Sequence, residues 1–173
     1  MFLVQAFQQL IEAFSTYFSY ALLFLISIPI AIVRTYQTLF RERLAKGWHL
    51  ALEAIVEAVR LVQYVIVLAK GTDIALRSLL ESGSAWGEMF AGIRMLRQSE
   101  AVWEFIGFLI VFLAYNGILK ALFRRSFVTA LLRKLSWTRF EVPTMQAASL
   151  ITFKNLFLIP VCVIYIFHIL RFI

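Results

Sequence analysis

Apolar positions gather in blocks about twenty residues long, separated by short stretches that hold most of the charge. Residues 1–14 (MFLVQAFQQLIEAF) set Leu3, Phe7, Leu10, Ile11 and Phe14 at helical spacing, with Gln5, Gln8, Gln9 and Glu12 opposite. A two-sided helix of this kind is expected to lie in the membrane interface. From Tyr17 to Val33 no charge interrupts the chain before Arg34, and Pro29 falls inside the run. That length predicts a first, kinked membrane span. The block Val102–Leu119 predicts another, with a single acid near its start, and so does the stretch from about Ala148 to Leu170. This last run has Lys154 and Asn155 near its start, Pro160 in its middle and His168 near its end. Lys154 is close enough to the boundary to snorkel.

Between these lies Trp48–Ala69, apolar but broken by His49, Glu53, Glu57, Arg60 and Gln63. Counting it as a span gives an all-α membrane protein, one membrane domain over residues 1–173. Its bundle has four transmembrane helices (about 17–33, 48–69, 102–119 and 148–170) with short amphipathic helices at 1–14, 82–98 and 126–136. If the second segment lies on the surface, three spans remain.

Composition supports the membrane reading: 62% of the residues are hydrophobic and 16% charged, with a mean hydropathy of +0.84. Soluble domains are nearer half apolar and a quarter charged. A net charge of +7 would raise the question of nucleic acid in a soluble chain. Here the bases stand between spans, and no nucleic-acid partner is expected. Residues 34–46 hold Arg34, Arg41, Arg43 and Lys46 against Glu42, and residues 120–141 hold six bases against one acid. The stretch between Lys70 and Glu104 has one more acid than base. Under the positive-inside rule, 34–46 and 120–141 are cytoplasmic and both termini face away, in what reads as a bacterial inner membrane. The first base is Arg34, so the N-terminus lacks the charged region of a cleavable signal, and Met1 is expected to remain.

The most specific pattern is in the second segment, where His49, Glu53, Glu57, Arg60, Gln63 and Tyr64 fall within roughly a 120° arc of a helix. A charged side chain at the bilayer centre costs roughly 2.5–3.5 kcal/mol on insertion scales, so this stripe should face something other than lipid. Three settings would satisfy it: surface water, another helix with Glu57 paired to Arg60 and Glu53 to His49 or a partner subunit, or a wet path for ions. Small residues mark two further faces, Gly107, Ala114, Gly117 and Ala121 in one helix and Gly83, Gly87 and Ala91 in another, where backbones can approach closely. On the third connection Arg124, Arg125, Arg133 and Lys134 flank an apolar face of Phe127, Val128, Leu131, Leu132 and Leu135. Such a helix suits anionic lipid.

Catalytic chemistry finds little footing. The sequence has no Gly-x-Ser-x-Gly, phosphate-binding or dinucleotide glycine pattern, and Cys162 stands alone among Val, Ile and Pro. His49, Glu53 and Glu57 could share a helix face toward a metal, but no second such element exists. Neither an enzyme nor a cofactor or metal is expected. The reading is a non-catalytic subunit of a larger membrane complex (secretion, conjugation or energy-transducing), with other subunits or copies of itself and anionic lipids as partners. The alternative is a homo-oligomeric ion or proton channel lined by Glu53 and Glu57.

Overall fold

The structure, a computed structural model, describes residues 2–72, 76–81, 83–84, 86–87, 98–134 and 140–172. Its regular elements are all helical: α1 (Phe2–Ser19), α2 (Ala21–Leu39), α3 (Lys46–Gly71), α4 (Leu76–Glu81), α5 (Gln98–Leu122), α6 (Arg125–Lys134), α7 (Val142–Phe153) and α8 (Ile159–Ile169). One π turn, Lys154–Leu158, joins α7 to α8.

Among the described residues, three stretches are long and apolar enough to cross a membrane: Ala21–Leu39, Ala101–Leu122 and Val142–Ile169. The chain is therefore a multi-pass membrane protein. The first does not start where the apolar run starts. Tyr20, at φ −106° and ψ 85°, breaks the helix, so the start of the apolar run at Tyr17 falls within α1, which closes at Ser19, and the span begins at Ala21. The second expected span, Trp48–Ala69, forms the long helix α3 but is not among the three, because Glu53, Glu57 and Arg60 interrupt its apolar length.

Contacts place the helix ends in two groups. At one end Phe2 meets Trp103 at 5.7 Å between ring centroids, and Arg171 donates to Glu104 at 2.8 Å. At the other, Phe123 meets Phe153 and its carbonyl accepts from Gln146, while Phe40 meets Phe140 just before the start of α7. Between them α1 packs along α5 and α8, and α2 packs along α7. Alongside α2, α3 turns back: the Gln37 side chain donates to the His49 carbonyl at its start, and Lys70 lies over the Tyr20 ring near its finish.

The N-terminal helix differs most from its sequence pattern. It runs to Ser19, packs against α5 and α8, and buries Ala6, Gln9, Ala13 and Tyr17, whereas Leu3, Phe7 and Ile11 point outward. In water this would be inside out. In lipid, large apolar side chains gain nothing by leaving hydrocarbon, and small residues that let backbones approach make the contact. A Cβ on Gly107 would stand 2.8 Å from Ala6 Cβ, which marks the closest approach of α1 and α5.

Prolines shape the last traverse. Pro143 opens α7, where a missing N–H costs nothing. Pro160 cannot donate to the carbonyl of Leu156, four residues earlier. The Tyr17 hydroxyl donates to that oxygen at 2.6 Å, tying α1 to the π turn. Tyr165, fully buried against Phe108 and Phe112, donates to the Ala6 carbonyl at 3.1 Å.

Candidate functional site

The polar stripe of α3 faces the chain's own helices. Arg34, projecting from α2, donates to Glu53 at 3.1 Å and to Glu57 at 2.7 Å, and reaches Gln37 at 3.3 Å. Arg60 donates to Glu57 at 2.7 Å and to the Asn155 side-chain oxygen in the π turn. His49 Nδ1 stands 3.8 Å from Glu53. One turn further on, Gln63 is buried and donates to Ser27 Oγ at 2.8 Å and to the Leu23 carbonyl at 2.9 Å. Tyr64 is half-buried.

Sequence spacing picks out this stripe and its Glu57–Arg60 pair, but not what faces it. Arg34 reads along the chain as the base that ends an apolar run, and Asn155 as a polar residue near the start of another. A hint was available in the spacing of Arg34 and Gln37, which share one face of α2 at i and i+3. Ser27 carries no such signal, since its hydroxyl also satisfies itself on the Leu23 carbonyl, as serines within helices do.

The charges balance: two guanidiniums meet two carboxylates. Burial is unequal, however, with 16% and 13% of the Arg34 and Arg60 side chains exposed against 46% and 50% for Glu53 and Glu57. The cations are therefore enclosed and the anions form a rim. Arg34 stands five residues before Leu39, about 8 Å along the helix from the end of α2, so the rim lies toward one end of the bundle. Thr35, next to Arg34, is hydrogen-bonded to Thr152, beside Phe153, which packs on Phe123 next to Arg124. This is the end at which the basic connection leaves α5. Guanidiniums within 3.1 Å make charge-assisted hydrogen bonds to both carboxylates, so the cluster acts as a clasp between α2, α3 and the π turn.

The other expected sites are distributed as follows. Gly107 is buried at the α1 contact, whereas Ala114, Gly117 and Ala121 are exposed on α5. Gly83 and Gly87 are exposed with open space around them, and Ala91, like most of the expected helix 82–98, lies outside the described residues. Arg124, Arg125, Arg133 and Lys134 are all exposed on or beside α6, which docks on α7 through buried Val128 and Leu132 and leaves Phe127 and Leu131 outside. Among the described residues no three His, Cys, Asp or Glu side chains come together as metal ligands.

No known family model matches the chain, and neither a curated protein nor a solved structure matches it.

Proposed function

We propose that the chain is a non-catalytic integral-membrane subunit of a larger membrane complex, of the secretion, conjugation or energy-transducing kind, in a bacterial inner membrane. The observation that carries this reading is the rim of Glu53 and Glu57. Half of each carboxylate side chain is uncovered by the chain itself, on a helix whose neighbours Leu50 and Leu61 are 69% and 64% exposed. An apolar surface alone is satisfied by lipid; an apolar surface with half-bare carboxylates calls for a protein neighbour that supplies donors at the seam. Exposed Ala114, Gly117 and Ala121 offer a second face that another helix can approach closely. The basic α6, with Phe127 and Leu131 outward, would seat the subunit on anionic lipid with 34–46 and 120–141 in the cytoplasm. A channel lined by the same carboxylates has less to recommend it, since each already engages a guanidinium.

A photo-crosslinking residue at position 50 or 61, activated in native membranes, tests this. The expected product is an adduct with a different polypeptide, lost in Glu57→Lys. Adducts with a second copy alone, together with a conductance in reconstituted vesicles, would overturn the reading in favour of a homo-oligomer.

A further inference from the structure

A second polar group lies at the opposite end of the bundle, where Phe2 and Arg171 meet the start of α5. A half-open cavity of about 400 Å³ is walled by Phe2, Gln9, Trp103, Glu104 and Arg171, with Ala6 packed on Gly107 beside it. That volume falls in the range of roughly 300–1,000 Å³ usual for small-molecule sites. Two acceptors here are enclosed without a donor among the described residues. Gln9 is only 8% exposed, yet its Oε1 accepts no hydrogen bond; the Glu104 side chain is 9% exposed, and Oε2 likewise accepts none, while Oε1 takes Arg171 at 2.8 Å. Buried acceptors left in this state have lost water without gaining a protein donor, so such pairs call for a donor. The Arg171 side chain, 46% exposed, keeps further N–H groups for an anion.

We infer that this cavity binds a phospholipid headgroup carrying a primary ammonium beside its phosphate, the phosphoethanolamine chemistry. The ammonium donates to Glu104 Oε2 and Gln9 Oε1, and the phosphate receives Arg171. That arrangement leaves a neutral set of two cations and two anions. A trimethylammonium group has no N–H to give and would leave both acceptors as they are. Depth agrees: Trp103, 57% exposed, and Glu104 stand in the first turn of the span Ala101–Leu122, where amphipathic rings and headgroups meet. Exposed Phe2 and Trp103 give the glycerol and upper acyl carbons an apolar wall. This inference stands apart from the proposed subunit role, since none of its residues touches the α2–α3 clasp.

The test is lipid retention by the full chain, purified in mild detergent and read by native mass spectrometry against equimolar phosphatidylethanolamine and phosphatidylcholine of matched acyl chains. Ethanolamine lipid should be retained about tenfold or more over choline lipid, the worth of one charge-assisted hydrogen bond. Glu104→Gln and Gln9→Leu should each reduce that preference severalfold. Because Glu104→Gln also weakens the tie to Arg171, Gln9→Leu with an unchanged melting temperature is the decisive variant. Equal retention of the two lipids, or a preference unchanged in Gln9→Leu, overturns the site. Free phosphoethanolamine should fail to displace the lipid at equal concentration; displacement would overturn the lipid assignment in favour of a soluble ligand.

Discussion

Replacing Arg34 by alanine removes a side chain that contacts both carboxylates of α3. The expected loss follows from how much of the cluster is wet. Exposed ion pairs contribute roughly 0.2–1 kcal/mol, whereas stripping one partner from a buried pair costs roughly 3–5 kcal/mol. Arg34 is 16% exposed and its two partners are about half exposed, so the stranded anions regain part of their hydration and the cost should fall between these ranges, about 2 kcal/mol. The loss should also be unequally shared. Glu57 keeps Arg60 at 2.7 Å, while Glu53 is left with His49 at 3.8 Å. Glu53→Gln should therefore lessen the damage of Arg34→Ala, and a double-mutant cycle should return a coupling of about 1 kcal/mol for this pair. The assay is reversible unfolding in mixed micelles with the four chains of the cycle measured together. A loss under about 0.5 kcal/mol for Arg34→Ala, with zero coupling, would show the clasp to be no more than a set of solvated charges.

Arg60→Ala should likewise destabilise the bundle by about 1–3 kcal/mol, by freeing a buried Asn155 oxygen, whereas Arg77→Ala, at an 84% exposed position, should be neutral in the same assay. Gly107→Ala pushes a methyl to 2.8 Å from Ala6 and is expected to cost about 1–3 kcal/mol, with Ala6→Gly restoring most of it; an additive double mutant would refute the close contact. Tyr17→Phe should cost about 1–2 kcal/mol, because it returns the Leu156 carbonyl to an unpaired state beside Pro160, and the loss should be read by thermal unfolding. Reporters active only in the cytoplasm, inserted within 34–46 and within 124–139, should both be active; opposite behaviour would dismantle the topology.

The apolar blocks made most of the architecture legible, because twenty uncharged residues have few options other than crossing a bilayer. Three of the four expected spans correspond to stretches of sufficient length and apolarity, with the first displaced from Tyr17 to Ala21. That displacement was hidden because Tyr20, an ordinary residue in an apolar run, carries no glycine or proline signal for the break it makes. The orientation of α1 was hidden for a different reason: helical spacing reports two faces and says nothing about which solvent each meets. Leu3, Phe7 and Ile11 are as periodic facing lipid as they would be facing a core. At the clasp, the local pair Glu57–Arg60 was readable at i and i+3, but Arg34 lies 19 and 23 residues from its partners, and only the hairpin of α2 on α3 brings them together. Gln9 was the least readable of all, since a glutamine beside Gln8 and Glu12 reads as a wetted face.

The five residues Lys154–Leu158 do more than accommodate a proline. Adding one residue to a turn advances everything beyond it by about 100° around the axis. The two halves of one membrane-crossing rod are thereby put out of phase, and each can address a different audience. Before the offset and at its start, Thr152 looks toward α2 and Asn155 toward Arg60; beyond it, Tyr165 looks toward α1 and the phenylalanines of α5. A regular helix of the same composition would have to choose between those loyalties, so the polar lock and the aromatic seam coexist on one rod because its winding slips once.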